Sequence, residues 1–121
     1  MRDKIIAAVL LATVILATSL NTWVLKHKID QTIEETECID IHKSGAKVEA
    51  EDAFQEFLRR ERYISLTVSH DDLTNIEENF CELIGYLGVG DTDGAEIAKY
   101  RLIRSLEHLR RFSGFNFDSI I

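Results

Sequence analysis

With 121 residues, no proline, two cysteines and a formal charge of −7, the chain is sized for one domain and has too little cysteine for a disulfide framework. Setting aside Arg2, Asp3 and Lys4, it holds 12 Lys and Arg against 20 Asp and Glu from Lys26 onward. That acidic balance argues against nucleic acid as a partner and against broad adhesion to anionic lipid.

After a tail at residues 1–4, residues 5–25 read IIAAVLLATVILATSLNTWVL, without a charge. At about 1.5 Å per residue the run is about 30 Å long, the thickness of a hydrocarbon core. Trp23 lies near its end, where an amphipathic ring favours the interface, and Lys26 and Lys28 come directly after it. The expectation is a transmembrane anchor. A cleaved signal peptide is the rival, because Ala17-Thr18-Ser19 offers small residues at a cleavage spacing behind a basic start. The apolar run continues through Leu20 and Trp23-Val24-Leu25, which favours retention. Positive charges are nearly tied across the segment, so the positive-inside rule decides little. The default is a single-pass protein of the cell membrane, with its tail inside and the domain at 26–121 extracytoplasmic; the reverse orientation stays open.

No proline interrupts the remainder of the chain, so long helices are permitted. The anchor is predicted to run unbroken into a first bundle helix, with Ile29, Ile33 and Thr36 on a spaced stripe, and to stop at Ser44-Gly45. A second helix is predicted over 47–69, where Ala50, Phe54, Phe57, Glu61, Ile64 and Val68 recur at three- and four-residue steps: a packing seam with one acid in it. The turn at Ser69–Asp72 supplies Ser69 or Asp71 as a side-chain cap for a third helix over 72–87, which carries Leu73, Ile76, Phe80, Leu83 and Leu87. Gly88-Val89-Gly90-Asp91 breaks it, and Asp91 or Thr92 caps a fourth helix over 92–113 with Ala95, Ala98, Leu102, Leu106 and Leu109 on its apolar face. Short connections make sequence neighbours antiparallel. The predicted fold is all-α: an N-terminal transmembrane helix continuing into an antiparallel up-down four-helix bundle.

Charge supports one pairing. Residues 71–96 hold eight acids and no Lys or Arg, whereas residues 97–111 hold five Lys and Arg against one acid, so the third and fourth helices should attract along their rims. The up-down order also brings the Ser69–Asp72 turn and the tail after Phe112 near the bilayer. There Phe115, Phe117, Ile120 and Ile121 either meet lipid headgroups or a membrane-embedded partner, or plug the bottom of the bundle.

The combination of an N-terminal span, "EFLRRERYISLTVSHDDLTNIEENFCELIGYL", "RLIRSLEHLRRF" and a closing "FNFDSII" resembles a family of short bacterial membrane-anchored proteins, domain of unknown function 4363. The resemblance covers nearly the whole chain. Its most specific pieces are Ser69-His70-Asp71-Asp72-Leu73 with Ile76-Glu77, and Asp118-Ser119-Ile120-Ile121. Phe54 and Phe57 stand where many members have tryptophan or more aromatic residues, and the cysteines lie outside the pattern. The family has no assigned activity, so the resemblance implies fold and address and transfers no catalytic residue. Its members are often encoded beside a multi-pass membrane protein, which implies a partner in the bilayer.

Individual residues offer little chemistry. Glu61 on an apolar seam is a candidate for a raised pKa, against the more ordinary role of a seam-edge acid paired with arginine. His70 is a candidate pH-sensitive or partner-binding residue, against a turn and capping role. Phe115 and Phe117 are candidate contacts for a membrane partner. Cys38 and His42, four apart, have a metal-compatible spacing but lack a second pair, so no metal or other cofactor is expected. Cys38 and Cys81 fall on diagonal helices, which disfavours a bond between them. No serine–histidine–aspartate order or phosphate loop is present. The expected function is a non-enzymatic accessory or interaction module for a membrane partner. The alternative is an extracytoplasmic ligand or pH sensor, which needs a polar cavity around Glu61 or His70. The oligomeric state is left open.

Overall fold

The computed structural model describes residues 1–64 and 68–112. Four helices occur in order: α1 (Arg2–Glu37), α2 (Ala46–Ile64), α3 (His70–Gly88) and α4 (Thr92–Phe112). Each packs against its sequence neighbours, α4 closes back onto α1, and the diagonal pairs α1/α3 and α2/α4 do not pack. This is the square, up-down bundle that short connections dictate, built from three helices of similar length and the C-terminal half of the longer α1.

The helix α1 is long and apolar enough to cross a membrane. Its side chains are exposed from Arg2 to Ala17, including Ile5, Leu10, Val14 and Leu16. Bundle packing begins before the apolar run ends at residue 25. Asn21 accepts a hydrogen bond from the Tyr63 hydroxyl, and Leu25 is wholly buried. From there Leu25, Ile29, Thr32 and Thr36 form a seam with steps of four, three and four.

The core joins that seam to three others. In α2 it is Ala46, Ala50, Ala53, Phe57 and Ile64, in α3 Leu73, Ile76, Phe80 and Leu83, and in α4 the five residues of the predicted apolar face. Phe80 stacks on Phe54, 5.2 Å between ring centres, and meets Phe57 at a tilt, which fastens α3 to α2. The only buried polar side chains among the described residues are Thr32 and Thr36, and both hydroxyls bond back to their own helix, at Lys28 O and Thr32 O.

Three boundaries differ from the sequence expectation. The first helix ends at Glu37, well before Ser44. Glu34, Glu35 and Glu37 in its last turn oppose the negative end of the helix dipole. Lys99 of α4 donates to the carbonyls of Glu37 and Ile39 at 3.0 and 2.7 Å, satisfying groups that a further turn would have used. The Asp40 carboxylate accepts the His42 N–H at 3.0 Å, a local turn that competes with helix and lets Ile39 and Ile41 drop into the core. The second helix is assigned only to Ile64, and Val68 and Ser69 are outside any helix. The third begins at His70 rather than 72. Its cap residue Ser69 makes no side-chain bond, leaving Asp71 and Asp72 in the first turn as the favourable dipole contact.

The α3–α4 turn obeys its residues closely. Gly90 has φ +74°, a conformation that favours glycine. The N–H groups of Gly90 and Asp91 return to the carbonyls of Leu87 and Tyr86, closing a Schellman motif. The Asp91 carboxylate then caps α4 by accepting the Gly94 N–H at 2.9 Å. A side chain at Gly94 would meet the Tyr86 ring at 2.5 Å, so glycine there permits close approach.

Candidate functional site

The chemistry-bearing residues lie mostly at the end of the bundle next to the exposed apolar half of α1, where α2 ends and α3 begins. Arg60, rather than Glu61, continues the buried seam of α2 toward α1. Its side chain is 13% exposed and grips both Glu35 carboxylate oxygens, at 2.9 and 2.7 Å, and the Thr32 hydroxyl at 3.0 Å. Hydrogen bonding to Glu35 holds the guanidinium above its ordinary pKa, outweighing the opposing effect of burial. One turn on, Tyr63 bonds Asn21 and lies under the Lys28 ammonium, 5.4 Å from the ring centre. Both residues tie α2 to the segment of α1 that emerges from the apolar run.

Glu61 points to the other neighbour. It is half-buried and hydrogen-bonded to Glu77 of α3. Burial, then the hydrogen bond, then the charge of Glu77 push its carboxyl up from about 4.5 to about 7. The expectation of a raised pKa at Glu61 therefore has a structural cause, although the partner is an acid and not an arginine. Two carboxyls sharing one site favour holding a proton between them.

His70 does not join this pair. It is exposed at the first position of α3, seven residues and about 10 Å of helix from Glu77. Phe115 and Phe117 lie outside the described residues. Cys38 and Cys81 are free thiols and both are exposed. His42 engages Glu96 at 3.0 Å beside Cys38, but no group of three His, Cys, Asp or Glu side chains able to hold a metal occurs among the described residues.

The rim attraction expected between α3 and α4 is present in part. Arg101 pairs with Glu82 at 3.1 Å, and Asn75 and Asn79 donate to Ser105. Two further cations of α4 serve α1 instead, Lys99 through the carbonyls already described and Arg110 through Asp30. Sequence reasoning missed this, because only the closure of α4 onto α1 brings them together.

No family model, curated protein or solved structure matches the chain. A functional reading therefore rests on the molecule's own geometry.

Proposed function

We propose that the protein is a single-pass, membrane-anchored accessory module without enzymatic activity, which holds a rigid helical bundle against a partner in the same bilayer. The observation that carries this reading is the contrast within α1. Its N-terminal half buries nothing in the bundle, while its C-terminal half is built into the core with no intervening break. An apolar helix exposed on every side is a membrane pattern. Two of its hydroxyls suit hydrocarbon as well, since Thr13 and Thr18 donate to the carbonyls of Val9 and Val14 at 2.8 Å. The resemblance to domain of unknown function 4363 supports the same address, in bacteria, and a multi-pass membrane protein as the partner. The extracytoplasmic orientation belongs to this proposal.

The sensor alternative has less support. The core is filled by apolar side chains, and the surface clefts around α1 and α4 are not lined by Glu61 or His70.

The test is membrane fractionation, then labelling in intact cells. The protein should resist an alkaline carbonate wash. Cys38 and Cys81, both exposed, should react with a membrane-impermeant maleimide before lysis. A multi-pass protein should co-purify with the wild type, and recovery should fall when residues 5–25 are replaced by an unrelated apolar span. A protein released by carbonate, or one that repeatedly emerges alone from solubilised membranes, overturns the reading.

A further inference from the structure

Charge is uneven along the long axis of the bundle. At the end away from the apolar half of α1, Asp40, Glu49, Asp52, Asp91, Asp93 and Glu96 outnumber Lys43 and Lys47, whereas at the end beside it Lys26, Lys28, Arg62, Arg110 and Arg111 stand with Asp30, Asp71, Asp72 and Glu107. Between α1 and α4 at this second end lies a cleft of about 550 Å³ lined by Lys26, Asp30, Ile33, Glu107, Arg110 and Arg111. Its two acids are already engaged, Asp30 with Arg110 at 2.5 Å and Glu107 with Arg104 at 3.8 Å. Lys26 and Arg111 make no ion pair with a described residue.

Lys26 also ends an exposed, mostly apolar face of α1 that runs from Leu11 to Trp23. A net-positive cleft that meets an apolar helix face at a shared lysine fits an amphiphile with an anionic head and a hydrocarbon tail. The depth agrees. Lys26 stands 21 residues beyond Ile5, about 31 Å along the helix, at the edge of a hydrocarbon core that begins at Ile5.

We propose that this cleft and the adjoining apolar face bind an anionic phospholipid, with Lys26 and Arg111 holding the headgroup phosphate; the proposal rests on the membrane-anchor reading. Part of the domain's acidity lies far from the cleft. Glu96 lies 14 residues along α4 from Arg110, about 21 Å away, which is more than two Debye lengths at physiological ionic strength. Asp71 and Asp72 begin α3, which packs on α4, so they share the end of the bundle that holds Arg110 and Arg111. The lining of the cleft itself carries three cations and two acids and is net positive.

Trp23, the single tryptophan, supplies the probe. The full chain is reconstituted in phosphatidylcholine bilayers containing a minor fraction of either brominated phosphatidylglycerol or brominated phosphatidylcholine, and Trp23 fluorescence is recorded. Quenching by both lipids is expected, with local enrichment of the anionic one on the order of fivefold for each cation engaged. The double variant K26Q/R111Q, which leaves the Asp30–Arg110 pair in place, should keep the same helical circular dichroism and lose the preference. Equal quenching by the two lipids in the wild type overturns the lipid site and leaves the anchor standing. No quenching by either overturns both. Loss of the preference on adding inorganic phosphate at constant ionic strength would mean that the cations take a soluble anion, which also overturns the lipid assignment.

Discussion

The two halves of α1 have similar helical geometry and opposite surroundings. From Ile5 to Leu20 nearly every side chain is apolar and none is buried by the bundle. From Asn21 to Glu37 polar residues surround a single stripe of Leu25, Ile29, Thr32 and Thr36, and that stripe is sealed. A helix that is apolar all round has no preferred face and needs an apolar solvent; a helix with one stripe needs a neighbour. One unbroken helix thus carries the junction between an uncovered apolar span and a packed bundle, and the change falls where Tyr63 reaches Asn21.

The sharpest way to break this comparison is to remove apolar volume from each environment. Phe80→Ala should destabilise the bundle by about 3–5 kcal/mol, since Phe80 is wholly buried and touches two other rings. Val14→Ala removes apolar surface that the bundle never covered, and should shift its stability by less than about 0.5 kcal/mol. Chemical denaturation in detergent, monitored by circular dichroism, checks both. A comparable loss at Val14 would show that the apolar half packs on the bundle.

A second prediction moves to the far end, where packing is set by a turn. Gly94→Ala gains about 0.5–1 kcal/mol of helix propensity. It also drives a methyl group to 2.5 Å from the Tyr86 ring and 2.8 Å from the Asp91 carboxylate. Overpacking of that kind costs about 1–3 kcal/mol, so the clash prevails and the melting temperature falls. An unchanged or higher melting temperature would mean that Tyr86 yields freely.

The smallest effect is titratable. The Glu61 carboxyl is raised to about 7 in the fold, above its ordinary value near 4.5. The folded state therefore binds the proton more tightly than the unfolded chain. Its stabilising contribution is complete below about 4.5 and is lost as pH rises through about 7. Glu61→Gln should flatten that decline, and should melt higher than the wild type at alkaline pH with little difference in acid. Parallel pH-stability profiles for the two proteins would remove the shared proton with Glu77.

These contrasts also show what a sequence makes legible. The long apolar helix, the four-helix order, the α3 and α4 faces and the Gly90–Asp91 turn all depend on residues near one another in the chain, where periodicity and turn chemistry act. The end of α1 was not legible, because Lys99 helps to set it from 62 residues away. Glu61 was visible as an acid on an apolar seam, but α2 turns Arg60 toward α1 and Glu61 toward α3. The Glu77 partner depends on how the two helices are rotated against each other. The cleft at Lys26 and Arg111 was hidden for the same reason, since only the packing of α4 on α1 brings those two cations together.

The continuity of α1 from Arg2 to Glu37 fixes a torsional phase between its apolar half and the bundle. Each residue advances the helix by about 100°, so adding one alanine before Asn21 would swing the exposed apolar surface about a quarter turn relative to the domain. Seven added residues would nearly restore the original bearing. Any companion that grips both the apolar span and the bundle must therefore match them in azimuth as well as in shape, and twisting the span about its axis would turn the domain with it.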